Sequence, residues 1–338
     1  MRFEFYHSGL DSVAKISVDG TVPNSIHLSH WQGNKTPAEV KADTSTEIAL
    51  NVVASPRRAE ITQGVKLVTN NHFDTDGVLS VWTMLNDERS LEFRDKLIAA
   101  AEAGDFSELS TADAVRASIT IQGSDQPVTT DESGSPLARK IAGSQVDDDG
   151  GAYELVLPEV EHVLTRIGDY EDLWRGPWRV IEKTVDSFEK QQSDVEEFTD
   201  AKISLVTLSD QVYGGHFDPS LDGIPFTAVS RYATGELFII GVPYQGGWAY
   251  RIDYPYYSWA ETTVRPRINR RNLSAAMLQL NQLESSGHGK WVADSAELSS
   301  AAKFLSDDGR LASSTISPGK VAESIIANST RADAARSG

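Results

Sequence analysis

The chain has 338 residues and no cysteine, which excludes disulfides, iron–sulfur clusters, zinc–thiolate sites and cysteine nucleophiles. A metal ion would need nitrogen and oxygen ligands, which favours Mg²⁺ or Mn²⁺ as cofactor. A membrane-spanning helix needs about 18 consecutive apolar residues. The sequence has no such run, so no membrane partner is expected. Its first residues, MRFEFYH, lack the apolar core of a secretory signal, and we expect a cytoplasmic protein.

Basic residues are scarce, with 31 Lys and Arg against 49 Asp and Glu, a net charge of -18. Because such a surface repels the phosphate backbone, we expect no non-specific binding to duplex nucleic acid. A local basic site can still bind a short phosphorylated ligand. The sequence also lacks a Walker loop, a Rossmann glycine fingerprint and a Gly-x-Ser-x-Gly elbow, so nothing supports a kinase, a dehydrogenase or a serine hydrolase.

The hydrophobic patterns predict an α/β protein. A mainly parallel sheet with flanking helices is expected in residues 1–200, and a smaller, antiparallel and aromatic-rich part in 201–310. A short helix and a flexible tail are expected in 311–338. The finer predictions are strands at 65–69, 114–121 and 203–208, a hairpin of 236–242 and 248–254 with a longer loop, a helix starting at the capping box 44–47, and a helical stretch 155–192 broken at 176–177.

The most informative stretch is His72-Phe-Asp-Thr-Asp-Gly77, between the predicted strand 65–69 and a helix. At strand spacing His72, Asp74 and Asp76 point to one side, as nitrogen and oxygen ligands of one or two divalent ions. Gly77 allows a tight turn, and the helix N-terminus favours an anion such as phosphate. Asp, Asn and Gly also form plain turns, in which Asp76 would only cap the following helix.

This His-x-Asp-x-Asp-Gly sequence resembles the first motif of the DHH phosphoesterase superfamily. The resemblance implies a two-metal Mn²⁺ or Mg²⁺ centre that activates water against a phosphodiester or phosphoanhydride. His72 and Asp74 would be ligands of one metal and Asp76 of the other, and these three would be the catalytic residues. Residues 1–200 would form the DHH-like metal-binding domain. The family's Asp-His-His string is absent from this chain.

Two later histidines are similar to other parts of that pattern. The sequence His216-Phe-Asp218 repeats the start of the first motif after the strand 203–208, and is expected to supply the missing metal ligands. His288, between two glycines, loosely resembles the glycine-rich histidine motif of the family's substrate domain. It is therefore expected to bind substrate.

A second family is similar at the same place. The stretch 73–79 also resembles the first motif of haloacid-dehalogenase-type phosphatases. Asp74 would then be the nucleophile and Asp76 the general acid, and Thr207 would supply the family's hydroxyl group. Both resemblances imply phosphate chemistry with a divalent metal at one loop.

Four arginines close together favour a phosphate clamp, because the guanidinium matches phosphate oxygens. These substrate-binding candidates are Arg265, Arg267, Arg270 and Arg271. Surface ion pairs with the many carboxylates are the alternative. The aromatic run 248–259 before them is typical of hairpin cores, of base stacking and of dimer faces, so a homodimer is one expectation.

Upstream, His27, His30 and Asp43 are candidates for a further ligand or a general acid. We therefore predict a metal-dependent phosphoesterase with a small phosphorylated or nucleotide substrate. The alternatives are an aspartyl phosphatase and a non-catalytic metal- or nucleotide-binding protein on a degenerate enzyme fold.

Overall fold

The computed structural model describes residues 1–123, 137, 148–294 and 299–334, the last six without their side chains. The chain forms two compact units. The first contains Met1–Trp178 and Ala260–Arg267, and the second contains Arg179–Trp259 and Ile268–Gly338. The sequence placed the first boundary at residue 200, whereas the units divide at 178 and the segment 260–267 belongs to the first unit.

The sheet of the first unit is parallel throughout. Within the described residues its four strands lie in the order β1-β4-β2-β3, with β1 Arg2–Phe3, β2 Lys15–Val18, β3 Ser25–Leu28 and β4 Leu67–Thr69. Every residue of β2 and β4 is buried. The expected parallel sheet is confirmed here, and the predicted strand 65–69 corresponds to β4.

The helices of the first unit are α1 Ser45–Ala54, α2 Arg58–Ile61, α3 Thr75–Asn86, α4 Glu88–Leu91, α5 Arg94–Asp105, α6 Ala112–Gln122, α7 Asp149–Val156 and α8 Val160–Thr165. Helix α1 begins as its capping box predicts, because the Thr44 side chain accepts a hydrogen bond from the Glu47 amide at 3.2 Å. The helix α9 Glu171–Glu189 contains the boundary between the units.

Two sequence interpretations are wrong in this unit. The predicted strand 114–121 is helix α6, capped by Thr111 and buried at Ala114, Val115 and Ile121, which is helical rather than alternating spacing. Helix α9 also runs through Gly176 and Pro177 without the predicted break. A proline removes one backbone hydrogen bond. The indoles on both sides of it, Trp174 and Trp178, are buried in the core.

The sheet of the second unit is mixed. Within the described residues its six strands lie in the order β5-β6-β7-β8-β10-β9, and β6–β7 is its parallel pair. The strands are β5 Asp194–Phe198, β6 Ile203–Thr207, β7 Leu237–Tyr244, β8 Gly247–Asp253, β9 Lys290–Ala293 and β10 Ser300–Leu305. The helices are α10 Phe226–Tyr232, α11 Ser274–Leu283 and α12 Pro318–Ala334. The fold is therefore mixed α/β, and the second sheet has more strands than expected.

The predicted hairpin of this sheet is confirmed, but its loop is shorter than expected. Tyr244 pairs with Gly247, so only Gln245 and Gly246 form the turn, both with positive φ (48° and 78°). Two residues with positive φ are typical of the turn that fits the twist of paired strands. Of the helices that the structure describes, none is long and apolar enough to cross a membrane.

The parallel order of the first sheet has a functional consequence. Strands β2, β3 and β4 run in the same direction, so their carboxyl ends share one edge of the sheet. Ligands of open α/β sheets bind at that edge. Three chain segments leave it there, and they begin at Asp19, Ser29 and Asn70.

Candidate metal centre

The loop after β4 is held by a buried asparagine. Oδ1 of Asn70 accepts hydrogen bonds from the amides of Asn71 (2.6 Å) and His72 (3.2 Å), and its Nδ2 donates to the Tyr153 hydroxyl at 3.0 Å. That hydroxyl in turn donates to the backbone oxygen of His72 at 3.2 Å. Gly77 is required beside them, because a Cβ there would lie 2.4 Å from Nδ2 of Asn70. The backbone of His72 is therefore held in place at the sheet edge.

One cluster of possible metal ligands lies at the surface of this edge. It contains Asp19, His72 and Asp74, and we call it the rim group. Nε2 of His72 lies 2.8 Å from Oδ2 of Asp19 and 3.2 Å from Oδ2 of Asp74. Oδ1 of Asp74 caps helix α3 by accepting the Gly77 amide at 2.7 Å. The His72 and Asp74 side chains are 26% and 25% exposed, whereas Asp19 is fully buried.

A second cluster lies beneath the first and shares Asp19 with it. It contains Asp19, His30, Asp76 and Asp105, and we call it the buried group. The four side chains are at most 4% exposed. Nε2 of His30 lies 3.3 Å from Asp19, 3.7 Å from Asp76 and 3.2 Å from Asp105. The single carboxylate of Asp19 thus faces both histidines.

Backbone groups orient two members of the buried group. The carboxylate of Asp76 accepts the amides of Ser45 and Thr46 at 2.7 and 2.8 Å, at the first turn of helix α1. Asp76 therefore caps α1 and not, as a plain turn would imply, the helix that follows it. Nδ1 of His30 lies 2.6 Å from the backbone oxygen of Asp43. Because a carbonyl only accepts hydrogen bonds, Nδ1 carries the proton and Nε2 faces the carboxylates.

The crowding of charge shifts the ionisation of these groups. Burial, and then the negative charge of Asp19, raises the pKa of Asp76 to about 6. Burial lowers the pKa of His72, but the carboxylates of Asp19 and Asp74 outweigh it and raise that pKa to about 11. Burial alone would raise the pKa of Asp19. The hydrogen bonds and charges of His30 and His72 outweigh this effect, so the pKa of Asp19 is lowered. Positive charge between the carboxylates is therefore strongly favoured.

The residues present fit divalent cations. In each group one ligand atom per residue can be chosen so that these atoms lie within 4.8 Å of one another. The buried Oδ2 atoms of Asp19 and Asp105 accept no well-aligned hydrogen bond, and each faces a histidine, at 2.8 Å from Nε2 of His72 and 3.2 Å from Nε2 of His30. Buried carboxylates are normally paired or bound to metal, because an unpaired charge in the interior is costly. Oxygen and imidazole nitrogen ligands suit Mn²⁺, Mg²⁺ and related ions.

The structure brings together the three residues of the sequence motif. His72 and Asp74 lie in the rim group and Asp76 lies in the buried group. Of the upstream candidates, His30 joins the buried group. His27 lies apart and accepts a hydrogen bond from the Lys35 amide.

His216 and Asp218 lie in the second unit and are in neither group. The Asp218 carboxylate accepts hydrogen bonds from the amide and hydroxyl of Ser220 at 2.9 and 2.6 Å, so it shapes its own loop. His216 and His288 are both exposed. Thr207 ends strand β6 of the same unit.

The four arginines have different surroundings. Arg265 belongs to the first unit, where it pairs with three carboxylates, and Arg267 is exposed beside it. Arg270 and Arg271 line a cleft of about 360 Å³ in the second unit, at the first turn of helix α11. The Arg270 guanidinium lies 4.4 Å from the centre of the Tyr254 ring. Binding of a substrate phosphate by these arginines stays a prediction.

Sequence analysis missed two members of the buried group, Asp19 and Asp105. Asp19 had a local signal, because an acidic residue and Gly20 follow the short buried strand β2, as in the recognised motif. Asp105 ends helix α5 and has no local signal. Its place in the group depends on how α5 packs.

Comparison with known proteins gives a family and no activity. A family model described as "Family of unknown function (DUF6687)" matches residues 2–335, so the chain belongs to this family. No protein with a curated function matches the chain. One solved structure, titled a pGpG-specific phosphodiesterase, PggH, from Vibrio cholerae, is 12% identical with a TM-score of 0.36, over 94% of this chain and 84% of that one. A TM-score this low does not establish a shared fold.

Proposed function

We propose that this member of the DUF6687 family is a metal-dependent phosphoesterase that hydrolyses a small phosphorylated or nucleotide substrate through two divalent cations. One observation carries the proposal. The carboxylate of Asp19 belongs to two ligand sets at once, one completed by a histidine and one further aspartate, the other by a histidine and two further aspartates. A carboxylate shared between two such sets is suited to bridge a pair of ions a few Å apart, the arrangement that phosphatases and nucleases use.

The rim group would hold one cation and the buried group the other. When bound, such ions lower the pKa of a water molecule and stabilise the charge that develops on the attacking and leaving phosphoryl oxygens. Mn²⁺ or Mg²⁺ fits the ligands. The chain's own contribution is to hold the ligands in place and to exclude water from the buried side.

Several contacts hold the metal ligands in place. The amides of Ser45 and Thr46 fix the Asp76 carboxylate, and the carbonyl of Asp43 fixes the tautomer of His30. Ligands that are already oriented need no rearrangement during the reaction, and this preorganisation lowers the activation barrier. The Asn70 and Tyr153 contacts do the same for the His72 loop.

Substrate would approach from the rim group, since His72 and Asp74 are its partly exposed members. The Trp31 indole lies beside this opening, with its ring centre 5.0 Å from that of His72. A flat aromatic surface beside a phosphate site suits a base or another planar group of the substrate. This supports a nucleotide as one substrate class.

The proposal is tested by hydrolysis of bis(p-nitrophenyl) phosphate and p-nitrophenyl phosphate, with Mn²⁺, with Mg²⁺ and with EDTA. We expect metal-dependent turnover that Asp76→Asn lowers more than about 100-fold, beyond the usual cost of losing a group that merely orients a ligand. Asp113→Asn is the control, since its side chain is 72% exposed in the same unit. Metal binding without turnover of a wide panel of phosphoesters would instead establish the non-catalytic alternative.

A further inference from the structure

The segment Ala260–Arg267 lies in the first unit although the chain on both sides of it belongs to the second. We call this segment the strap. Its Glu261 amide donates to the backbone oxygen of His30 at 2.7 Å. The Glu261 carboxylate accepts the Gly33 amide at 2.9 Å and Nδ2 of Asn34 at 2.8 Å, and pairs with Lys41 at 3.2 Å. One end of the strap is therefore fixed to the loop that carries His30.

Asp43 joins the other end of the strap to the same histidine. Its Oδ1 accepts hydrogen bonds from the Thr263 and Val264 amides, and its Oδ2 accepts the Arg265 amide at 3.1 Å and Nη1 of Arg265 at 2.7 Å. The backbone oxygen of Asp43 meanwhile holds Nδ1 of His30 at 2.6 Å. A shift of Asp43 would therefore move the hydrogen bond that fixes the His30 tautomer.

Arg265 also contacts residues that precede and follow Asp105 in the chain. Its Nη2 lies 2.8 Å from Glu102 and 2.7 Å from Glu108, and its guanidinium stacks 4.7 Å from the Phe106 ring centre. The Arg265 side chain is only 15% exposed. Arg265 thus contacts Asp43, the hydrogen-bond partner of His30. It also contacts the chain around Asp105, the other member of the buried group that it reaches. The rim group is held by other partners, among them Asn70.

We propose that the strap, through Arg265 and Asp43, positions His30 and Asp105, two members of the buried group that the rim group does not share. The inference rests on the proposed metal chemistry of the site. It assigns Arg265 and Asp43 as positioning residues, which touch no substrate. A purely structural strap would change thermal stability without distinguishing between the two ions. Substitution of a residue that orients a metal ligand typically lowers the affinity for the metal by about 10- to 100-fold.

The test is a Mn²⁺ titration followed by calorimetry, with thermal unfolding of the metal-free proteins in parallel. For the full-length wild type we expect two ions. For Arg265→Met we expect one ion with unchanged affinity and the other weakened by about 10- to 100-fold. Arg58→Met is the matched control, because Arg58 pairs with one carboxylate of the same unit and is 25% exposed. It is expected to bind both ions normally.

Arg265→Lys keeps the charge but cannot contact three carboxylates at once, and it is expected to weaken the same single ion to a smaller degree. If Arg265→Met fails to fold, the Mn²⁺ affinities of Arg265→Lys show whether the strap positions the buried group. Equal affinities for both ions in every folded Arg265 variant, or equal weakening of both ions, would overturn the role of the strap while leaving the proposed function intact. A wild type that binds no Mn²⁺ would instead overturn the proposed function itself.

Discussion

Oδ2 of Asp19 lies 2.8 Å from Nε2 of His72, while Oδ1 of the same carboxylate lies 3.3 Å from Nε2 of His30. Asp19 follows strand β2 directly and has a φ of 60°, a conformation that residues other than glycine rarely adopt. Such strain persists only where surrounding structure enforces it, and it concentrates at functional sites. Here it turns one carboxylate between two histidines.

The first prediction concerns that shared carboxylate. If Asp19 bridges two ions, wild-type protein loaded with Mn²⁺ shows an exchange-coupled spectrum in electron paramagnetic resonance. Asp19→Asn loses the coupling and nearly all turnover, because the amide is neutral and cannot bridge as a carboxylate does. Asp113→Asn is the surface control. A coupled spectrum that survives in Asp19→Asn would assign the bridge to another group.

The second prediction concerns stability. An ion that binds only the folded state stabilises it by about 2.7 kcal/mol at a free concentration 100 times its dissociation constant. Helices α1 and α3 supply or orient ligands, so we expect Mn²⁺ to slow hydrogen exchange of their amides. Strands β7 and β8 of the second unit should change little. Equal slowing in Asp19→Asn would show that the ion acts elsewhere.

The third prediction concerns the cleft of the second unit. Arg270 and Arg271 line it beside the start of helix α11, whereas Arg267 is exposed in the first unit. If the cleft binds substrate phosphate, Arg270→Met and Arg271→Met raise KM about tenfold or more, the loss of one charge-assisted hydrogen bond, without changing Mn²⁺ affinity. Arg267→Met should have kinetics like the wild type. Unchanged KM in all three variants would exclude this cleft from substrate binding.

The fourth prediction concerns pH and a buried carboxyl group of the second unit. Burial outweighs the Arg251 guanidinium and raises the pKa of Asp253 from 3.8 to about 6. Folding therefore favours the protonated form. The protonated carboxyl group of Asp253 stabilises the folded state fully below pH 3.8, and this stabilisation is lost as the pH rises through 6.

Asp253→Asn removes that titration. The free energy of unfolding of the wild type minus that of the variant should fall by about 2 kcal/mol between pH 4 and pH 7. Hydrogen exchange of β8 amides in the presence of EDTA measures it. A difference independent of pH would mean that Asp253 titrates normally.

The fifth prediction concerns a lysine that is 1% exposed in strand β2. Nζ of Lys15 donates to the backbone oxygens of Leu10 (2.7 Å), Val13 (3.0 Å) and Pro23 (2.6 Å). Lys15→Met would leave these carbonyls unsatisfied, at a cost on the order of 3 kcal/mol. The exposed Lys66→Met should stay within about 0.5 kcal/mol of wild type. Urea unfolding of the two variants provides the comparison.

The sequence contained enough to find part of the site. The motif at 72–77 is local, because one strand, one turn and one helix present all its ligands. Asp19 could have been found by the same reasoning, as an acidic residue and a glycine after a buried strand. Asp105 could not, since its position follows from the packing of helix α5 and from an arginine 160 residues later in the chain.

One motif of the second half stays a prediction. His216 and Asp218 copy the first residues of the motif and follow strand β6 of the second unit. Local patterns explain the mistake at 114–121, where short apolar runs fit a strand and a helix alike until the Thr111 cap is considered. The capping box at 44–47 and the hairpin strands were predicted correctly, because their signals involve only neighbouring residues.

Anomalous diffraction from crystals soaked in Mn²⁺ would show whether two cations share the Asp19 carboxylate. We predict two peaks about 3.5–4 Å apart. One should lie beside His72 and Asp74, the other beside His30 and Asp105, with Asp19 touching both. A single peak, or peaks that do not contact Asp19, would exclude a pair of cations bridged by Asp19.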